Sequence, residues 1–585
     1  MRQQTPNFSC EWSRSHGVLG SAAQTNVAAF VPASPCAEIR AVQSGNCPAR
    51  ADDCLGAGPL LQGGISQTKH LFRPAVGSAP RAWLDSIVNA EPQAPSDWRI
   101  LLALFFFLNF FYLLTSSGRV RTMDELTVDF QTESLVTRGS FAVPQAVSAR
   151  AYYGKLDREG NPQSPYGAGQ AVLVAPWYML GRVLRAIVPG IPRPAADVVL
   201  DAIVVSSSAT FAALAAALAF LLLVRIGIPQ GASLAAALVL ALATPLFAYS
   251  SWFFSEPIAA ALLLAAAFAL FMGERGAPVS LPRAAAAGLL LGAAIWVRPA
   301  HVIAVPVFLL AILLRDRARG LAPACVVAVI CGVSGAAFLL RNQMLFGNFF
   351  DFGYPEVAEG GKRLNSFDTP LATGLFGFLL SPGKSLFLFA PPLLLAILGL
   401  PSLARRDRGL AVVAGLVPLV YLLFYARYAQ WEGGYCFGPR YLVPSIPLLI
   451  LGLGPLLAER GLTIRRIALA LAVMGFLVQA VGMSTSFLED EATGAYYDSH
   501  WNYRMNYSPL VSQSRRLFQY ATNPSPAPIG LGFDRWFVFL AKAGVAHTLL
   551  ALAILLEFGG AIGFGCWLLF LSRSKRSRLR PPAYS

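Results

Sequence analysis

Two adjacent carboxylates, Asp124 and Glu125, stand a few residues beyond the first long apolar run, Ile100 to Thr115. Acidic groups at the mouth of an apolar bundle are expensive to keep, and such residues mark sites of chemistry or transport. A carboxylate placed there can take the proton of an incoming hydroxyl. Cationic side chains on the same face would hold a phosphate and stabilise charge on it as it departs. The chain supplies both kinds of group between apolar runs. Arg119 and Arg121 precede the acidic pair, which is followed by Ser164-Pro165-Tyr166-Gly167-Ala168-Gly169-Gln170. Further on come Trp252 to Glu256, Arg298-Pro299, Arg341-Asn342, Ser381 to Lys384, Trp431-Glu432, and Gly438-Pro439-Arg440-Tyr441. Taken singly, each has an ordinary structural reading. Arg298, Arg341 and Arg440 at helix ends can snorkel to an interface, and Glu256 suits a helix N-terminus. Their convergence on one face would suit a reaction of an anionic, lipid-borne group, such as transfer of a sugar from a polyprenyl phosphate.

The elements that must position these residues are legible from composition. Of 585 residues, 55% are hydrophobic and only 13% are charged, against about a quarter charged in a soluble domain. This is a polytopic membrane composition. The net charge of +15 does not point to nucleic acid, because the basic residues fall in short turns between apolar runs, where topology signals place them. Eight cysteines without a CxxC, and five histidines without a cluster, support neither a zinc site nor a disulfide framework. Asp124, Glu125 and Glu256 carry oxygens that a divalent ion could take, but nothing in their spacing requires one.

Residues 1–95 are rich in Ser, Ala, Gly, Pro and Gln without sustained apolar periodicity, and are expected to form a disordered cytoplasmic extension. A second reading is that the true start codon lies downstream. Apolar runs able to span ~30 Å of hydrocarbon follow near 98–117, 197–224, 231–250, 255–273, 284–298, 300–314, 321–340, 385–403, 410–427, 441–458, 466–485 and 537–571. The last is too long for one upright helix, so tilt or a short lead-in is expected.

With the N-terminus inside, the basic turns at Arg225, Arg275 to Arg283, Arg315 to Arg319, Arg405 to Arg408, and Arg460 to Arg466 fall on one side, together with the basic tail. This is the positive-inside pattern, and an even number of spans returns the tail to the cytoplasm. Counting 168–188 as a span would invert every later turn, so that run is expected to lie in the outer interface. The outward segments are then 118–196, 251–255, 341–384, 428–440 and 486–536. Aromatic and polar residues from Glu489 to Arg516 suit either sugar stacking or an interfacial belt.

The acidic pair in the first outer loop, Ser255-Glu256 and Gly438-Pro439-Arg440-Tyr441 together resemble the GT-C membrane glycosyltransferases. The similar branch is that of bacterial relatives of the dolichyl-phosphate-mannose protein mannosyltransferases, a group that includes the lipid A aminoarabinose transferase. The resemblance covers residues 98–485. It implies an all-α polytopic GT-C-type bundle of about twelve transmembrane helices, with interfacial helices in the first outer loop. It also implies a catalytic core at 96–485, an outer (periplasmic) loop at 486–536, a final transmembrane segment at 537–572 and a cytoplasmic tail at 573–585. The implied activity is inverting transfer from a polyprenyl-phosphate-linked sugar to a glycan, lipid or protein acceptor. It would take place at the outer face of a bacterial inner membrane. Asp124 would then be the general base and Glu125 its support. Glu256 would contact substrate, Arg298, Lys384 and Arg440 would hold the donor phosphate, and Tyr441 and Trp431 would join them. The chain lacks an evident soluble domain inserted between spans, which weakens the case for a protein acceptor. The alternatives are a transporter or flippase of lipid-linked saccharides, or a membrane scaffold. Transporters commonly show repeats and midplane polar groups, neither of which is visible here.

Overall fold

Helix formation follows the apolar runs closely. A computed structural model describes residues 97–149, 152–187, 193–273, 277–355, 366–434, 436–487, 499–523, 533–542 and 544–574. The expected extension at 1–95 lies outside these residues. The first helix, α1 (Asp97–Thr115), is apolar all round and buries Ile100, Ala103, Leu104, Leu108 and Tyr112 on one face. A helix of that kind shows protein on one side and hydrocarbon on the other. It packs against α4 (Arg193–Arg225) and against the long C-terminal helix His547–Ser574.

Between α1 and α4 come two long helices of different character, with the short helix Pro144–Ser148 between them. One is α2 (Met123–Arg138), polar in sequence yet with Thr127, Asp129, Gln131 and Ser134 buried. The other is α3 (Ala168–Ile187), with Val172, Met179, Leu180 and Val183 exposed along it. A two-stranded antiparallel pair, Lys155–Leu156 with Pro162–Gln163, separates them. An amphipathic helix with an apolar outer stripe and with Arg182 and Arg185 suits an interface, as the charge parity required.

Among the described residues, seven helical stretches are long and apolar enough to cross a membrane: Asp97–Thr115, Ala196–Arg225, Pro299–Phe346, Arg408–Arg427, Arg440–Glu459, Leu462–Ser484 and His547–Ser572. Four shorter apolar helices accompany them: α5 (Gln230–Leu242), α6 (Glu256–Phe271), α7 (Leu281–Val297) and α8 (Leu371–Leu380). The expected spans all have helical counterparts, some of them in pieces. Pro299–Phe346 is not one rod: Arg317 at φ 53° turns the chain between Val305–Asp316 and Leu321–Phe346, which makes two arms, as the charged turn implied. The expected run 385–403 is broken at Ala390-Pro391-Pro392 into Leu386–Phe389 and α9 (Leu393–Arg406). Helix α8 falls within the expected outward segment 341–384, because its ten residues are too short to register as a span. The final run divides into Trp536–Lys542 and His547–Ser574, in line with the expected lead-in.

The stretch Arg440–Glu459 occupies the centre and is almost wholly buried. It is a relay of short 3-10 and α turns interrupted by Pro444, Pro447 and Pro455. Irregular backbone at membrane depth is tolerated only when protein surrounds it, and here it does. Close packing around this stretch depends on glycine. A Cβ at Gly399 of α9 would sit 1.9 Å from the Gly452 carbonyl oxygen, and one at Gly452 would sit 2.2 Å from that of Ala396.

The basic turns gather at one end. Arg315 Nε lies 3.0 Å from Asp407 Oδ2, Arg283 donates to the carbonyls of Ala269 and Leu270, and Arg405 pairs with Glu459 at 2.7 Å. Glu256 begins α6 while Ala269 and Leu270 end it, so Glu256 lies about 20 Å from this basic end at 1.5 Å per residue.

The packing predicts that Gly399→Val fails to accumulate as folded protein or unfolds at least about 1–3 kcal/mol more easily, the usual cost of overpacking. Thermal unfolding in detergent checks this.

Candidate active site

Helix α2 begins at Thr122, whose hydroxyl accepts from the Glu125 N–H at 3.2 Å. Glu125 reaches back to complete a capping box. Its Oε2 accepts from the backbone N–H groups of Arg121 at 2.8 Å and Thr122 at 2.9 Å. Its Oε1 accepts from the N–H of Phe253 at 2.9 Å. The buried Glu125 carboxylate is thus taken up by backbone donors, and it ties the start of α2 to the segment before Glu256.

Asp124 is turned the other way, into a cleft. Its Oδ1 accepts from the Tyr166 hydroxyl, and its Oδ2 lies 2.8 Å from Arg440 Nη1. Arg440 Nε donates to Glu256 Oε1 at 2.8 Å, and its guanidinium carbon lies 4.1 Å from the Phe254 ring centroid. Arg298 Nη1 reaches the same Glu256 oxygen at 3.3 Å and lies over Tyr441, 5.1 Å from the ring centroid. Tyr441 in turn stacks on Tyr425 at 4.4 Å and 10°. The result is an alternating series of charges: Asp124, Arg440, Glu256, Arg298. Exposure falls from 29% for the Asp124 side chain to 1% for that of Glu256. Asp124 meets solvent, and Glu256 holds the two cations from behind. Glu256 Oε2 is buried without a partner.

The cleft is lined by Asp124, Tyr166, Gln170, Arg298, Tyr354 and Arg440, with Phe253 to Ser255. Two glycines let its walls meet. A Cβ at Gly167 would lie 2.0 Å from the Trp296 carbonyl oxygen, and one at Gly169 would lie 2.6 Å from the Val297 nitrogen. That contact brings Tyr166 and Gln170 beside Arg298 at the end of α7.

Burial pushes the Asp124 carboxyl up, but the Arg440 charge, the Tyr166 hydroxyl and the more distant Arg298 outweigh it and hold the group below the ordinary range. Burial and the neighbouring Asp124 charge push the Tyr166 phenol well up, so it remains the donor. The space between the two carboxylates is filled by the Arg440 guanidinium, an arrangement that does not suit a metal cation. Among the described residues, no group of three or more His, Cys, Asp or Glu converges as a metal site.

Not every residue singled out from sequence comes to this cleft. Lys384 is buried, donates to the Cys436 carbonyl at 3.0 Å and lies 3.2 Å from its sulfur. It braces the turn leading to Arg440 and does not line the cleft. Trp431 packs edge-on against Phe378 at 5.5 Å and beside Tyr503 at 5.9 Å, also outside the lining. Tyr441 and Glu256 support the arginines from beneath. Tyr496, Tyr497 and Asp498 lie outside the described residues. Sequence reading left Tyr354, Tyr166 and Gln170 without a role. Tyr166 and Gln170 belong to the Ser164 to Gln170 segment singled out from sequence, and Tyr354 carried no signal that set it apart from the other tyrosines.

No protein-family profile matches the chain, and no curated protein matches it. Among solved structures it is similar to the crystal structure of ArnT from Cupriavidus metallidurans bound to undecaprenyl phosphate. That match has 16% identity and a TM-score of 0.45, over 81% of this chain and 77% of that one. The apo form of the same protein gives 16% identity and a TM-score of 0.43, over 84% and 77%. Both likenesses are distant.

The charge series predicts that Glu256→Ala destabilises the protein by about 3–5 kcal/mol, the cost of stripping a partner from buried ions. Lys384→Met should cost less, because a neutral chain of similar length leaves no stranded charge. Unfolding of both variants in detergent tests the order.

Proposed function

We propose that the chain is an integral-membrane glycosyltransferase that moves a sugar from a polyprenyl-phosphate donor to an envelope acceptor, with Asp124 as general base. One observation carries the reading: the solvent-reaching Asp124 carboxylate lies 2.8 Å from Arg440, in a cleft that also presents Arg298. A base and a pair of cations are what single-displacement transfer from a phosphate requires. The site lies at the end of the bundle opposite the basic turns, which the positive-inside pattern puts at the periplasmic face.

In this mechanism the acceptor hydroxyl enters over Asp124. Each carboxylate oxygen has two lone-pair sites, so Tyr166 and Arg440 leave room for a further hydrogen bond. The acceptor oxygen attacks the anomeric carbon as Asp124 takes its proton. The bond from that carbon to the phosphate oxygen breaks on the opposite side, inverting the configuration, and polyprenyl phosphate departs with the bonding pair. Arg298 and Arg440 stabilise the charge that develops on the leaving phosphate. Arg440 therefore serves both reacting groups: it keeps Asp124 ionised and meets the phosphate. Tyr166 fixes the orientation of the base. No step calls on a metal.

Purified protein in liposomes, supplied with labelled polyprenyl-phosphate sugars and a panel of glycan, lipid and protein acceptors, tests the reading. Transfer is expected with the wild type, and Asp124→Asn and Asp124→Ala should abolish it while leaving expression and insertion intact. Wild-type rates in Asp124→Ala would end the assignment. Movement of the labelled lipid across the bilayer with no new glycosidic bond would favour a flippase.

The pH profile supplies an independent check. Asp124 is held below the ordinary carboxylate value of about 3.9. The base form therefore persists at neutral pH, and transfer is lost only as pH falls through the depressed value. Tyr166→Phe removes a hydrogen bond to the charged form, so the acid limb of kcat should move upward by about one pH unit, which corresponds to 1.36 kcal/mol.

A further inference from the structure

The segment Phe533 to Trp536 lies far along the chain from Asp124, yet it docks on the residues that lead into α2. Phe533 forms a bridge with Thr485, the Asp534 N–H donates to the Ser484 carbonyl at 3.0 Å, and the Trp536 N–H donates to that of Ser116 at 3.0 Å. The Asp534 side chain is 1% exposed and accepts from Arg119 Nε at 3.0 Å and from Arg121 Nη1. Arg121 is as deeply buried, its side chain 2% exposed, with its guanidinium carbon 4.6 Å from the Phe487 ring centroid. Its Nε and Nη2 have no partner. Asp534 is thus the ion-pair partner of a buried cation that is otherwise short of acceptors.

That cation stands beside the cap of the Asp124 helix. The backbone N–H of Arg121 already donates to Glu125 Oε2 at 2.8 Å, and Glu125 is the second carboxylate whose charge acts on the Arg121 side chain. A buried guanidinium that loses one carboxylate is under strong pressure to take the next. Here the next is Glu125, whose oxygens hold the first turn of α2 and the Phe253 N–H. Drawing Glu125 away would free the helix start at the residue next to Asp124.

We infer that Asp534 is a positioning residue for Asp124: it keeps the Arg121 guanidinium off Glu125, leaving both Glu125 oxygens to the backbone donors that fix the start of α2. This makes the end of the 486–536 segment part of what positions the base. The inference rests on the glycosyltransferase reading only for its kinetic readout. The groups that face Asp124 (Tyr166, Arg440, Arg298 and Tyr354) are all unaltered in the variants that test it.

The test uses the full chain in liposomes as wild type, Asp534→Asn, Asp534→Glu, Arg121→Met, and the double variant of Asp534→Asn with Arg121→Met. Asp534→Asn is expected to lower kcat about ten- to hundredfold, as small misplacements of reacting groups do. It should leave KM for the polyprenyl-phosphate sugar within about twofold, because Arg298 and Arg440 keep their places. Its acid limb should rise as the contact of Asp124 with Arg440 loosens, and Asp534→Glu should restore most of the rate. The double variant should be faster than Asp534→Asn alone, since it holds no freed cation to compete for Glu125. A double variant as slow as Asp534→Asn, or an Asp534→Asn enzyme with wild-type kcat and acid limb, overturns the inference. Amide hydrogen exchange reads the same point without catalysis: Thr122 and Phe253 should exchange faster in Asp534→Asn and recover in the double variant. Unchanged exchange overturns the inference even if no transfer is found, whereas absent wild-type transfer with altered exchange counts only against the glycosyltransferase reading. If Asp534→Asn does not fold, the comparison of Arg121→Met and the double variant decides. Both lack the cation, so both should keep the Thr122 and Phe253 protection of the wild type, and loss in the double variant alone overturns the inference.

Discussion

The site depends on one guanidinium. Arg440 touches Asp124 on one side and Glu256 on the other, both at 2.8 Å, and its plane rests on the Phe254 ring. Removed from water, none of these charges is stable alone: the penalty for an unpaired buried ion is several kcal/mol, and it is offset only by close, well-oriented partners. Arginine suits the position because its planar fork can serve two carboxylates while its face packs on an aromatic ring. With Arg440 in place, Asp124 is ionised and aimed, Glu256 has an ion-pair partner, and Arg298 gains an anchor. The remaining architecture can be understood as what brings these four side chains to one point.

That architecture uses chain ends and interruptions more than helix centres. Asp124 lies in the first turn of a capped helix, Glu256 starts another, Arg298 ends a third, and Arg440 opens the broken central stretch. Long helices supply the frame, but the candidate site sits where their hydrogen-bond ladders stop and side chains can converge. The proline-interrupted Arg440–Glu459 segment is the extreme case. It survives at membrane depth because it is almost wholly enclosed by protein, and enclosure keeps Arg440 in an environment where its ion pairs are strong.

Much of the fold was legible in the sequence, because lipid imposes a length and a composition on every spanning helix. The apolar runs and the one-sided basic turns mark the span positions, and the parity of the turns puts 168–188 in an interface. Helix α8 escaped because ten apolar residues look the same in a loop and in a half-length helix. The candidate site was legible in part. Asp124, Glu256, Arg298 and Arg440 declared themselves as charges at the edges of apolar runs and do come together. Lys384 and Trp431 declared themselves in the same way, yet they brace and pack outside the cleft. A side chain's type records what it can do, and its direction depends on neighbours from distant parts of the chain.

By itself, then, the sequence determined the solvent, the spans, the sidedness of the basic turns and the pool of charged residues, since each follows from local composition weighed against the cost of burying charge. Only the tertiary structure decided which member of the acidic pair faces the cleft. Glu125 is consumed by three backbone donors, one of them from Phe253, 128 residues away, while Asp124 is left to Tyr166 and Arg440. Two adjacent carboxylates with nearly the same intrinsic acidity part in role because successive residues on a helix point about 100° apart, and only folding fixes what stands in each direction.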